Sequence, residues 1–171
     1  MKNVDYTNYE DGIYVGYRYS QPKNVPVAYP FGYGMSYTTF KYGKPVVTKD
    51  AQGNVQVQVA VKNAGKMAGK EVVQVYVAAP GKDMEKPAKE LRGFAKTKSL
   101  QPGESETVTI QIPYENLASF NEADSQWQVE AGDYKVMVAK NAADAKPLTV
   151  IVNQNAGVTS KVRPCLLPEV K

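Results

Sequence analysis

The chain contains no histidine and only one cysteine among its 171 residues. Without histidine it lacks the usual general base at neutral pH, the Ser-His-Asp and Cys-His nucleophile pairs, and the most common zinc ligand. The lone Cys165 excludes an intrachain disulfide and a thiolate metal cage. No glycine-rich loop opens a helix, so dinucleotide or P-loop phosphate binding has no support. We therefore expect no metal and no cofactor.

Long apolar runs and clusters of basic residues are also absent. No segment approaches the ~18 apolar residues that cross a bilayer, so we expect no membrane partner. The net charge is +4, but the 21 Lys and Arg residues are scattered, and we expect no nucleic-acid partner. Residues 1–5 lack the apolar run of a signal peptide, which leaves a cytoplasmic protein or a chain whose natural N-terminus has been removed.

Carboxylates occur in three pairs spaced two residues apart, which puts both side chains on one face of a strand. The pairs are Asp83 with Glu85, Glu104 with Glu106, and Glu122 with Asp124. Glycoside hydrolysis needs two neighbouring carboxyl groups, so each pair is a candidate acid/base site. All three lie in or beside polar turns, where acidic side chains are ordinarily solvated, and we favour that interpretation.

Alternation of apolar and polar residues dominates the chain from about residue 37 onward, and this is the signature of β-strands. The clearest runs cover residues 55–61, 73–77, 108–112, 134–138 and 148–152. Turn sequences separate them at regular spacing. Each run directs one row of side chains to a core and the other to solvent. The pattern predicts an all-β fold, an antiparallel β-sandwich of about seven strands in two sheets.

Three aromatic residues of this region carry specific predictions. Tyr134 follows Gly132 and Asp133 at a strand entrance, a position suited to a tyrosine corner. The alternation places Trp127 and Phe94 in the core, which is the usual location of such large rings.

The two ends of the chain depart from the alternation. Residues 1–36 are dense in tyrosine, and their apolar positions suit a strand at 13, 15, 17 and 19 or a helix at 9, 13 and 17. We expect a partner surface to cover these rings, because each buries about 150–250 Å² when packed. The tail, residues 154–171, contains Pro164 and Pro168, which predict an extended segment rather than a central strand.

Two motifs at the start of the chain closely resemble glycoside hydrolase family 3. They are residues 9–19 (YEDGIYVGYRY) and 29–40 (YPFGYGMSYTTF). They are similar to the junction between that family's second catalytic domain and its C-terminal fibronectin type III-like domain. Four later motifs resemble the C-terminal domain itself: residues 61–65, 69–77, 89–94 and 100–105. The resemblance runs in order from about residue 9 to residue 139.

The resemblance implies three parts of the chain. Residues 1–36 would be the junction left from the preceding α/β domain, residues 37–153 an immunoglobulin/fibronectin type III-like sandwich, and residues 154–171 an extended tail. The family's nucleophilic aspartate and acid/base glutamate lie upstream of the junction, so the resemblance implies no catalytic residue in this chain. The parent would be a β-glucosidase-type hydrolase, periplasmic or secreted, and this chain an accessory module that braces its catalytic domains.

The resemblance also points to residues that would serve the junction. Those predicted to pack there are Tyr17, Tyr29, Phe31, Tyr33, Tyr37 and Phe40. Their partner would be the catalytic domains of the same parent chain. In the absence of those domains we expect residues 1–28 to be loose, swapped or packed on a neighbouring copy, with self-association through residues 1–36.

A long connection at residues 80–90 is a further candidate, because long loops often carry function. Its charged side chains Lys82, Asp83, Glu85 and Lys86 would reach the rim of the parent's cleft. An ordinary solvated loop is the alternative, and we favour it.

Two other functions stay open. A carbohydrate-binding module would use aromatic side chains of the sandwich to bind a β-linked oligosaccharide weakly. Its candidate residues are Tyr76, Phe94, Tyr114, Phe120 and Trp127. A generic immunoglobulin-like interaction domain is permitted by fold analogy alone.

Overall fold

β-Strands form nearly all the regular secondary structure of this computed structural model, which describes residues 10–163. Its two helical turns are α1 (Tyr17–Ser20) and a 3₁₀ helix (Tyr114–Leu117). The strands are β1 (Phe40–Tyr42), β2 (Val46–Lys49), β3 (Val55–Asn63), β4 (Val72–Ala78), β5 (Glu90–Lys96), β6 (Ser105–Ile112), β7 (Ser119–Asn121), β8 (Gln126–Val129), β9 (Gly132–Ala139), β10 (Leu148–Gln154) and β11 (Gly157–Lys161). Among the described residues, no helix is long and apolar enough to cross a membrane.

Two four-stranded antiparallel sheets face each other. In the first sheet β3 pairs with β1 and β2 along one edge and with β6 along the other. The second sheet has the order β10-β9-β4-β5. Alternate residues of both sheets form one core cluster, with Val57 and Ile112 from the first and Val75 and Val136 from the second. Burying a valine or isoleucine side chain stabilises the fold by about 1.5–3 kcal/mol, so these rows hold the sheets together.

The all-β sandwich predicted from the alternation is confirmed, and all five predicted runs form strands. Several further strands are only three to five residues long, too short to show a period in the sequence. Three of them make a third sheet of order β11-β8-β7. Residues 157–161 of the predicted extended tail are its edge strand, and Pro164 and Pro168 lie outside the described residues.

The expectation that the second row of β4 faces solvent is wrong. Gln74 and Tyr76 occupy that row and are only 5% and 0% exposed. Residues 10–36, which we call the junction segment, cover them. The Tyr17 ring meets the Tyr76 ring edge-on, and the Gly32 carbonyl accepts a hydrogen bond from Gln74. Strand β4 is therefore buried on both faces.

The prediction that Phe94 and Trp127 lie in the core is also wrong, because they are 68% and 43% exposed. On β5 the inward position belongs to Gly93, where a Cβ would lie 2.6 Å from Cγ2 of Ile110, so Phe94 points outward. Trp127 belongs to the third sheet, outside the two packed layers. Tyr134 does form the predicted tyrosine corner: its buried hydroxyl donates to the Glu130 carbonyl at 3.1 Å.

Candidate interdomain docking site

The helical turn α1 places Tyr17 at the centre of the contact between the junction segment and the sandwich. Its ring stacks on Phe31, with centroids 4.6 Å apart and planes 21° apart, and meets Tyr76 edge-on at 6.0 Å. Both arrangements suit the aromatic quadrupole. The backbone N–H of Leu91 donates to the Tyr17 hydroxyl at 2.9 Å. Tyr17 therefore ties the junction to both β4 and β5.

Gln74 is the polar half of the same contact. Its Nε2 donates to the Gly32 carbonyl at 2.8 Å and to the Lys140 carbonyl at 2.7 Å. The hydroxyl of Tyr76 donates to Gln74 Oε1 at 2.7 Å. Burial, with a smaller contribution from Tyr17, raises the pKa of Tyr76 to about 12, so the hydroxyl keeps the proton it donates. One buried amide thus binds the junction to the loop after β9.

The backbone of residues 31–32 completes this docking. The N–H of Ala142 donates to the Phe31 carbonyl at 2.9 Å. Gly32 has a φ of +77°, and a Cβ there would lie 2.0 Å from Gln74 Oε1. Glycine is required at this position both for the backbone conformation and for the close approach of the amide.

Two charged contacts lie beside the aromatic ones. Arg18 forms an ion pair with Glu90 at 3.2 Å, and Glu90 also pairs with Arg92. The hydroxyl of Tyr14 donates to Glu85 at 2.6 Å, and this bond raises the pKa of Tyr14. We expected residues 1–28 to be loose or packed on another copy. Tyr14, Tyr17 and Arg18 of this segment instead contact their own sandwich, and residues 1–9 lie outside the described part.

A buried carboxylate holds the start of the 80–90 loop. Glu130 Oε2 accepts the backbone N–H groups of Lys82 at 3.0 Å and Asp83 at 3.3 Å. Glu130 Oε1 forms an ion pair with Lys86 at 3.1 Å, and the two side chains are 1% and 5% exposed. Burial alone would raise the pKa of Glu130, but the two N–H groups and Lys86 outweigh it and hold the pKa below its usual range.

The four candidate loop residues therefore have different surroundings. Lys82 and Asp83 are exposed, with their backbone fixed by Glu130, and Glu85 is exposed and bound to Tyr14. The charged end of Lys86 is turned inward. The other carboxylate pairs make local contacts as well: Glu104 with Lys98, and Asp124 with Asn121. In the described residues, no group of three or more potential metal ligands comes together.

The predicted junction aromatics divide into two sets. Tyr17 packs against the sandwich, the half-exposed Phe31 stacks on Tyr17, and Phe40 is buried in the core. The remaining ones stay exposed, together with Met35 and Phe94. We call these five side chains, which are 48–97% exposed, the junction face: Tyr29, Tyr33, Met35, Tyr37 and Phe94.

A groove of about 760 Å³ runs along the junction face. Tyr33, Met35 and Phe94 line it together with the aliphatic and charged parts of Lys70 and Lys96. Tyr29 packs beside Tyr33 with ring centroids 5.2 Å apart. The junction segment is therefore hydrogen bonded on its inner side and apolar on its outer side.

Sequence reasoning missed Gln74 and Tyr76, which contact the junction segment, and Glu130, which holds the 80–90 loop. A signal was present for β4, where an aromatic and an amide occupy the row that was assigned to solvent. Glu130 gave no comparable signal, because its partners lie about 45 residues away in the chain.

The fold and this docking site define a fibronectin type III-like module attached to a preceding segment. Residues 71–142 match the family model of the fibronectin type III-like domain. The chain is 38% identical over 162 residues to thermostable β-glucosidase B of Acetivibrio thermocellus, covering 93% of this chain and 21% of that protein. It is 46% identical over 140 residues to a β-glucosidase of Kluyveromyces marxianus, covering 80% and 16%.

Among solved structures, β-glucosidase 3B of Thermotoga neapolitana in complex with α-D-glucose superimposes with a TM-score of 0.82 at 46% identity, covering 88% of this chain and 21% of that one. The chain thus spans about a fifth of the length of these relatives. It matches the C-terminal fibronectin type III-like domain of glycoside hydrolase family 3 enzymes.

Proposed function

We propose that this chain is a non-catalytic module that braces the catalytic domains of a β-glucosidase-type parent. The three relatives described above are β-glucosidases about five to six times as long, so most of such an enzyme lies outside the matched region. The nucleophilic aspartate and the acid/base glutamate belong to those other domains in this account. The chain then contributes stability and geometry rather than chemistry.

One observation carries the proposal: the junction segment is fixed on its inner side and apolar on its outer side. Hydrogen bonds from Gln74 and Ala142, the Leu91 N–H bond to the Tyr17 hydroxyl and the edge contact of Tyr17 with Tyr76 hold it on the sandwich. The junction face outside carries five large, exposed side chains. Exposed apolar patches of this kind mark contact surfaces, and the preceding domain of the parent is connected to this one by the chain itself.

The experiment compares one triple variant in two settings. Tyr29→Ser, Tyr33→Ser and Met35→Ser are introduced together into the full-length parent and into the isolated chain. Because these side chains are exposed in the isolated chain, its Tm stays within about 2 °C of wild type. The parent loses an interface, so its Tm falls by several degrees and it inactivates faster at elevated temperature.

A matched control is Ile151→Ser, since Ile151 is also an exposed apolar residue but lies on β10, away from the junction face. It leaves the Tm of the parent unchanged. An unchanged Tm of the triple-variant parent would refute the bracing role.

A second role at the rim of the parent's cleft is supported by the anchoring of the 80–90 loop. Glu130 fixes its backbone, and Tyr14 contacts Glu85, so the exposed Lys82, Asp83 and Glu85 are held in place rather than free. Replacing these three by serine in the parent raises KM for long β-glucans more than for a short aryl β-glucoside. Equal kinetics on both substrates would mean that residues 80–90 form an ordinary solvated loop.

We also propose that the parent is periplasmic or secreted.

A further inference from the structure

The third sheet presents a pair of aromatic side chains that neither the core nor the junction face uses. Phe120 on β7 and Trp127 on β8 are directly opposite each other in the antiparallel pair. Their ring centroids are 5.5 Å apart and their planes are inclined by 54°. They are 38% and 43% exposed. We call these two rings the aromatic platform.

On β8 the alternation of side chains places Trp127 on one side of the sheet and its polar neighbours on the other. Trp127 alternates with Gln126 and Gln128, whose amides bond each other at 3.0 Å on the other side of the strand. Two residues further along the Trp127 row, Val129 is buried in the core. The row therefore leaves the core at Val129 and ends in exposed rings at Trp127. Large exposed rings at adjacent positions typically mark a binding surface.

The strand beside the platform carries two hydroxyl groups and ends in Lys161. On β11, Ser160 is directly opposite Trp127, and the hydroxyl of Thr159 donates to the Trp127 carbonyl at 3.3 Å. Asn121 follows Phe120 on the other side of β7, where its amide donates to Asp124 at 3.0 Å. Rings beside hydroxyl groups suit a ligand that is rich in hydroxyl groups and apolar on its ring faces.

We propose that the aromatic platform binds a β-linked glucan chain. All hydroxyl groups of β-glucopyranose are equatorial, so both ring faces consist of C–H groups that stack on aromatic rings. The spacing of 5.5 Å is close to the length of one sugar residue in a β-1,4-linked chain, so one residue stacks on Trp127 and the next lies against the edge of Phe120, whose plane is inclined by 54°. The choice of a β-linked glucan rests on the proposed function, whereas the binding surface is separate from the junction face.

Tryptophan fluorescence measures binding at this site without an added label, because Trp127 is the only tryptophan of the chain. Titration of the full 171-residue chain with cellotetraose changes the tryptophan emission in a saturable way, with a Kd of the order of 1 mM. Glucose binds more weakly because it contacts only one of the two rings. Maltotetraose, which has the same sugars in α-linkage and a curved shape, produces no saturable change. Calorimetry under the same conditions gives the same Kd.

Phe120→Ala removes half of the platform and keeps the fluorescent residue, and it weakens cellotetraose binding about tenfold. Ile151→Ala, which removes an exposed apolar side chain of β10, leaves binding unchanged, and far-UV circular dichroism verifies that both variants are folded. Phe120→Tyr keeps an aromatic ring and retains binding. No saturable change with cellotetraose, or an equal change with maltotetraose, overturns the proposal. The bracing test does not involve Phe120 or Trp127, so the two proposals fail separately.

Discussion

Tyr76 donates its hydroxyl proton to Gln74 Oε1 at 2.7 Å, on a strand face that the junction segment covers. This bond orients the amide so that its two N–H groups meet the carbonyls of Gly32 and Lys140. Gln74 and Tyr76, two successive outward positions of β4, thereby bind a segment that lies more than 40 residues upstream.

Gln74→Leu tests that receptor. The variant removes three hydrogen bonds and leaves a buried hydroxyl and two carbonyls without partners, so we expect a loss of about 2–4 kcal/mol in the free energy of unfolding. Urea denaturation measures the loss. Gln58→Leu, at an exposed position of β3, is the control and changes stability by less than about 0.5 kcal/mol. Equal effects of the two substitutions would contradict the role of Gln74.

Gly32→Ala tests the close approach of this glycine to the Gln74 amide, and Gly103→Ala is its control. Both glycines have positive φ, +77° and +83°, so both substitutions strain the backbone by about 1–2 kcal/mol. Only at Gly32 would the new Cβ meet a neighbour, Gln74 Oε1 at 2.0 Å, and this oxygen is held by the Tyr76 hydroxyl. We expect Gly32→Ala to lose about 1–2 kcal/mol more than Gly103→Ala by urea denaturation. A loss no larger than that of the control would show that the amide moves freely.

Sequence patterns predicted the sandwich because each of its long strands buries one row of side chains against the other sheet. In β3 the burial alternates strictly, and the sequence alternates with it. In β4 a distant segment covers the outer row, and no local pattern of Gln74 or Tyr76 encodes that cover. Trp127 was misplaced for a related reason: its strand leaves the core, while the alternation continues unchanged.

The candidate site was predictable in part. The tyrosine-rich start of the chain indicated a contact surface, but not which rings face inward. That choice depends on the helical turn at Tyr17, which places the Tyr17 ring against Tyr76 and leaves Tyr29 outside.

Glu130→Gln tests how the 80–90 loop is held. The pKa of Glu130 is lower in the folded chain than its usual value of about 4.3, so folding favours the ionised form. Its stabilisation is present above that value and is lost as the pH falls through the lowered folded pKa. At pH 7 the variant leaves Lys86 without its buried counter-charge, and we expect a loss of about 3–5 kcal/mol.

Thermal unfolding between pH 7 and pH 3 measures this effect. The difference in Tm between wild type and Glu130→Gln narrows as the pH falls below about 4, because the unfolded wild-type chain then takes up a proton at Glu130 before the folded chain does. Glu115→Gln, at an exposed position, is the control and shows little difference at any pH. A gap that stays constant down to pH 3 would contradict the assigned charge of Glu130.

The junction face is exposed to solvent in the isolated chain. We expect concentration-dependent self-association in sedimentation velocity, because exposed rings of this number favour burial against a second copy. The variant Tyr29→Ser with Tyr33→Ser is monomeric over the same concentration range, and Ile151→Ser associates like wild type. Association that persists in the double variant would place the contact elsewhere.

The most direct test of the account is the hydrolysis of 4-nitrophenyl β-glucoside by the purified 171-residue chain, beside the full-length parent at equal molar concentration. The account predicts that the parent releases nitrophenol and that the chain releases none above the enzyme-free blank from pH 4 to pH 8. Release that increases in proportion to the amount of chain, and is lost in a variant with its paired carboxylates replaced, would contradict the account.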